Sequence, residues 1–98
     1  MNRVKSEMQL PPPDAMARIF KALGHPTRLA IIAHLMEVET CFCKDIVHRF
    51  PHSQSTISQH LKLLRESGII QGQILGAKSQ FRVDREMLAR LKSFVTQL

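Results

Sequence analysis

Two apolar stripes of helical spacing meet at a proline in the middle of this chain, and that break limits the fold more than any other feature. Phe42, Cys43, Ile46, Val47 and Phe50 would share one helical face, and Ile57, Leu61 and Leu64 repeat the pattern further on. Pro51-His52 ends the first helix and Ser53 is a good N-cap for the second, so only Phe50-Pro51-His52-Ser53 joins them. Gly68 closes the second helix. The pattern then changes. Ile69 to Leu75 and Ser79 to Val83 read as two short strands around Leu75-Gly76-Ala77-Lys78, where glycine permits a tight turn.

The flanks supply three further helices. Asp14 can cap the first, whose stripe is Met16, Ile19, Phe20 and Leu23, and Gly24 ends it. His25-Pro26-Thr27 restarts the chain, with proline in the first turn, where its missing N–H costs nothing. The second helix carries Leu29, Ile32, Ala33 and Met36 on one face, and Ile31 and Leu35 add a second apolar side, which places it centrally. Asp84 caps a last helix bearing Met87, Leu88, Leu91, Phe94, Val95 and Leu98. Residues 1–13, with Pro11-Pro12-Pro13, read as a flexible N-terminal tail, and residues 14–98 as one domain. The expected class is mainly α with a small β-hairpin, in the order α-α-α-α-β-β-α: a winged helix-turn-helix.

Composition narrows the function. A chain of 98 residues holds one core, and a formal charge of +6 with a pI near 10.0 favours a polyanionic partner. Leu29 to Met36, the most apolar stretch, is too short to span a bilayer, and no secretory-type apolar core opens the chain. A cytoplasmic location is the default expectation, with no membrane partner and with Cys41 and Cys43 as reduced thiols. No Ser-His-Asp order, phosphate-binding glycine loop or paired-carboxylate cleft is legible, so an enzyme is not expected. A winged helix used purely for protein interaction is the remaining rival, and it predicts no salt-dependent binding to duplex DNA.

The helix after Pro51 offers Gln54, Ser55, Ser58, Gln59 and Lys62 on its outer face, groups suited to base edges and phosphates. Its N-terminus, at Ser53 and Thr56, presents free backbone N–H groups to a phosphate. Lys78 at the hairpin tip is a candidate phosphate contact, whereas Arg82 reads as a solubility charge. His60 lies beside the buried stripe and reads as a packed, hydrogen-bonded histidine rather than a base reader.

At this point the chain resembles a known family. His25-Pro26-Thr27-Arg28-Leu29 and the run from Gln54 through Ile70 (QSTISQHLKLLRESGII) are similar to the ArsR/SmtB repressors, a likeness that extends from about residue 14 to the end. The resemblance implies a homodimer with a recognition helix in the major groove and the hairpin as wing. It also implies release from the operator when an effector, often a metal or metalloid ion, binds. The first and last helices would make the dimer interface, through Met16, Ile19, Phe20, Met87, Leu91 and Phe94. Periodicity agrees, because those stripes exceed what so small a core needs. A two-fold dimer would read a palindromic operator with its recognition helices about 34 Å apart.

Glu39-Thr40-Cys41-Phe42-Cys43 is similar to the box at which arsenic-sensing relatives bind trivalent metalloid, and thiolates are the right soft ligands for arsenite or another thiophilic ion. Two departures stand out. The usual third cysteine is missing at Ile46-Val47, and matching both cysteines requires a one-residue insertion near Lys44. On a helix, residues two apart also point about 200° from each other, so chelation needs this segment extended or unwound. The competing reading makes Cys43 a small buried hydrophobe and Cys41 a helix-start residue. A mixed site with His48 and His52 is disfavoured because Pro51 separates them, and the last helix contains no histidine for a zinc-type site.

Overall fold

A computed structural model describes residues 12–73 and 78–98 of the chain. Residues 1–11 of the expected tail, and 74–77 at the end of the expected first strand and in the expected turn, lie outside that range. Five helices and three strands follow in the order α1 (Pro13–Leu23), α2 (Pro26–Glu37), β1 (Cys41–Phe42), α3 (Cys43–Arg49), α4 (Gln54–Ser67), β2 (Ile70–Gln73), β3 (Gln80–Val83) and α5 (Arg85–Thr96).

The helix boundaries follow local chemistry. Pro12 and Pro13, expected in the tail, open α1 instead. Pro12 occupies the N-cap without a side-chain bond, and Asp14, expected as the cap, sits inside the first turn, where its charge suits the helix dipole. His25 caps α2 through its ring, which accepts from the Thr27 N–H. Ser53 caps α4 by accepting from Thr56 N–H, and Asp84 caps α5 by accepting from Met87 N–H. Gly68 ends α4 with φ 92°, a left-handed conformation that glycine adopts without steric cost.

The sheet has one strand more than expected. β1, whose residues were assigned to the start of the third helix, pairs antiparallel with β3 through Cys41 and Phe81, and β3 pairs with β2 through Ile70–Val83 to Gln73–Gln80. The order is therefore β1-β3-β2. The Cys43 N–H donates to the Ser79 carbonyl and the Asp84 N–H to the Ile69 carbonyl, so α3 and α5 both start against the hairpin. Gly72 lies under the ring of Phe81. A Cβ there would come within 2.6 Å of that ring's Cδ1, so the close strand crossing requires glycine.

One core joins these elements. Met16, Ile19, Ile31, Leu35, Ile46, Ile57, Leu61, Leu64, Ile69 and Ile70 are its largest fully buried side chains. The second helix is central as expected, but the other way round. Ile31 and Leu35 carry the burial, while Leu29 is 51% exposed and Ala33 faces solvent. Both faces of α2 are apolar, so periodicity alone could not rank them. α5 buries Leu91 only, leaving Met87, Leu88 and Phe94 partly covered, and Val95 and Leu98 exposed. Among the described residues no helix is long and apolar enough to cross a membrane.

Candidate nucleic-acid interface and thiol site

α3, the turn at Phe50 to Ser53, and α4 form the helix-turn-helix. α4 is anchored by Ile57, His60, Leu61 and Leu64, all buried, which turns Gln54, Ser55, Thr56, Ser58, Gln59 and Lys62 to solvent. Ser53 is exposed as well, and its Oγ also donates to Thr56 Oγ1 over 3.0 Å, which stiffens the first turn. The polar residues read from the sequence thus share the surface of one capped helix whose opposite side is held in the core. β2 and β3 run alongside, Lys78 is exposed where the chain re-enters β3, and Arg82 is exposed on the strand.

His60 belongs to the structural class expected for it. The residue is 9% exposed, and its Nδ1 lies 3.1 Å from Arg28 Nη1. Arg28 in turn donates through Nε to the Ala22 carbonyl, tying α1, α2 and α4 together. Burial holds the His60 pKa below its ordinary value, and the charges of His25, Arg28 and His52 add to that. Sequence reasoning missed this cluster, whose members are up to 35 positions apart (60 − 25).

The thiol segment departs from a helix in the way that matters for chelation. Cys41 lies in β1 and Cys43 opens α3, with Phe42 between them in extended backbone at φ −79° and ψ 149°. Alternation along an extended segment sends residues i and i+2 to the same side. Both cysteines are accordingly buried, whereas Phe42 is 39% exposed. Cys41 Sγ is 3.7 Å from His34 Nε2, and the ring's Nδ1 is buried with no hydrogen-bond partner among the described residues. Burial raises the Cys41 pKa, and Asp45 and Cys43 push it the same way against a smaller opposing effect of Arg49. His48 is exposed on α3 and His52 lies against Thr27, so neither joins the cysteines. No group of three or more His, Cys, Asp or Glu among the described residues is arranged to hold a metal.

Cys43 also connects to the candidate interface. With Gln54, Ser58, Leu61, Lys62, Ser79 and Phe81 it lines a cleft of about 120 Å³ between α3, α4 and the hairpin. Cys43 thus shares this cleft with Gln54, Ser58 and Lys62 of α4.

The expected interface set divides in two. Met16 and Ile19 are 1% and 0% exposed within the single chain, so they belong to its own core, and Leu91 is nearly as covered. Phe20 is 42% exposed, and its ring centroid stands 6.1 Å from that of the partly covered Phe94. Phe20, Met87 and Phe94 carry the apolar surface still open to a partner.

Comparison with known proteins agrees with this architecture. The model of the family described as "Bacterial regulatory protein, arsR family" matches residues 25–71. The repressor SmtB of Mycobacterium tuberculosis is 33% identical over 85 residues, covering 83% of this chain, which spans 62% of that relative's length. A homologue of the cadmium resistance regulatory protein CadC from Staphylococcus aureus is 34% identical over 100 residues, covering 99% of this chain and 82% of its own. Among solved structures, the homodimeric winged helix-turn-helix DNA-binding domain Mb0332 of Mycobacterium bovis superimposes with a TM-score of 0.69 at 25% identity, covering 98% of this chain and 83% of that one. The chain is a winged helix-turn-helix protein and belongs to the ArsR (ArsR/SmtB) family of transcriptional regulators.

Proposed function

We propose that the chain is a homodimeric transcriptional repressor that reads a palindromic operator with α4. The observation that carries this reading is the capped α4, which exposes Gln54, Ser55, Ser58, Gln59 and Lys62 while its other side is locked in the core. Side chains of that kind reach base edges and phosphates in a major groove, and the backbone N–H groups of Gln54 and Ser55, ahead of the Thr56 N–H that Ser53 already caps, would face a phosphate. Lys78 would meet the backbone from the wing. The basic charge of the chain supports the same partner. The homodimeric Mycobacterium bovis neighbour supports the two-fold assembly, with Phe20, Met87 and Phe94 offering the apolar contact surface.

Release by a thiophilic ion such as arsenite is the finer part of the proposal. Cys41 and Cys43 would hold the ion, since extended backbone aims both side chains inward and sulfur is the matching donor. The cadmium-resistance relative supports a thiophilic effector. A cytoplasm, where thiols remain reduced, goes with this reading. Duplexes selected from random sequence by the purified protein supply the operator. Arsenite and cadmium should then each be titrated against that complex. Wild type should dissociate, and Cys41→Ser and Cys43→Ser should keep binding but lose the response, with thermal melts to confirm the fold. A wild-type complex that survives full titration of both thiols would make the cysteines core residues only.

A further inference from the structure

Behind the recognition helix lies a group of ionisable side chains that neither base reading nor the thiols call upon. His25 comes from the α1–α2 turn, Arg28 from α2, His52 from the turn before α4, and His60 from α4 itself. The ring centroids of His25 and His60 are 4.6 Å apart, and those of His52 and His60 are 6.3 Å apart. His52 Nε2 lies 3.2 Å from Thr27 Oγ1, which fastens the helix-turn-helix turn to the start of α2. Alongside, Arg18 and Lys21 of α1 and Glu66 of α4 border Arg28 in an adjoining groove.

Donor and acceptor counting fixes the protonation of two nitrogens in this arrangement. A guanidinium has only donors, so His60 Nδ1, 3.1 Å from Arg28 Nη1, must accept and its ring must be neutral with the proton on Nε2. His25 Nδ1 accepts from the Thr27 N–H over 3.1 Å, so that nitrogen must be unprotonated too. We propose that His60, packed against His25, Arg28 and His52, is a proton-operated latch, which seats α4 for DNA binding while its imidazole is neutral and loosens it when that ring is protonated.

The physics gives the latch its sign. A proton on His60 Nδ1 sets a donor against the Arg28 donor and adds a second cation beside the Arg28 guanidinium. Glu66 is the one carboxylate among the described residues that line the groove beside Arg28. The His60 pKa lies below its ordinary value of 6.5, chiefly through burial. The neutral form is thus favoured in the seated state, and the stabilisation is fully present above about pH 6.5 and lost as pH falls through the lower, seated-state value. Plain phosphate contact by the same histidines predicts the reverse, since added positive charge strengthens DNA binding.

The DNA arm of this inference rests on the repressor reading, and the imidazole arm does not. Nitrogen-15 NMR of the histidine rings should find His60 neutral with the proton on Nε2 at pH 7.5. On acidification, amides from Ser53 to Lys62 should shift with the same midpoint as the His60 ring. Over the pH range in which circular dichroism is constant, the affinity ratio between a selected and a scrambled duplex should fall roughly three- to tenfold from pH 7.5 to 5.5. His60→Asn, which keeps an acceptor near the Nδ1 position but does not titrate, should flatten most of that fall. A proton on His60 Nδ1 at pH 7.5, or α4 amides indifferent to the His60 titration, would overturn the latch whether or not the chain binds DNA. A selectivity ratio that holds or rises on acidification, or an undiminished response in His60→Asn, would overturn its regulatory role.

Discussion

Phe94→Asp tests the assembly, and its size can be worked from the protomer. Phe94 is partly covered on α5, and its ring packs tilted by 55°, at a centroid distance of 6.1 Å, against Phe20 of the same chain, which is itself 42% exposed. That aromatic pair is worth about 0.5–1.5 kcal/mol beyond its area, but it is lost in monomer and dimer alike. It therefore lowers protomer stability rather than association. Association responds to the new carboxylate, which a partner surface would desolvate without a bonding group. Such a loss costs about 1–3 kcal/mol per site, and two-fold symmetry supplies two sites. The dimer should weaken by about 2–6 kcal/mol, raising its dissociation constant at least roughly 30-fold. Sedimentation equilibrium across a dilution series reads this directly. Ala89→Asp, an exposed site on the same helix, controls for the added negative charge. A folded Phe94→Asp protein with the wild-type dissociation constant would refute the interface.

Other expectations follow from single contacts. Gly72→Ala should push Phe81 from its place, cost about 1–3 kcal/mol, and lower the melting temperature measured at a fixed protein concentration. Under the proposed ion release, cadmium uptake at Cys41 would displace a proton from a thiol whose pKa is raised, first by burial and then by Asp45 and Cys43. Arsenite, which leaves as water the hydroxides it brings, would release none. Competition titrations should therefore show cadmium affinity rising with pH, by up to about tenfold per unit for each proton released, and higher near pH 7 in Asp45→Asn. Lys78→Ala should weaken selected and scrambled duplexes equally and reduce the slope of log affinity against log salt by about 1.

Much of the wing and helix-turn-helix was legible because punctuation and periodicity agreed. Ser53, Gly68 and Asp84 take the terminal positions that their chemistry favours, and the α4 stripe Ile57, Leu61 and Leu64 is buried as its spacing requires. β1 was not legible. Two residues carry no period, and Phe42 and Cys43 fit the helical stripe that follows them. Burial of Cys41 and Cys43 around an exposed Phe42 is the strand signature, visible only once the pairing with Phe81 is known. Met16 and Ile19 show a different limit. An apolar stripe says that a face is covered, not whether its own chain or a second copy covers it. The histidine cluster had no local signal beyond the place of His60 beside the buried stripe, since its residues meet only through the packing of α1, α2 and α4.

The most direct test of DNA reading by α4 is the salt dependence of duplex affinity for wild type and Gln59→Ala, on a selected and a scrambled sequence. Wild type should bind both, with log affinity falling linearly against log salt and the selected duplex well ahead. Gln59→Ala should lose about 1–3 kcal/mol on the selected duplex, keep its affinity for the scrambled one, and leave the slope unchanged. Equal loss on both duplexes, or wild-type affinity indifferent to salt, would contradict the assignment of α4 as the reading helix.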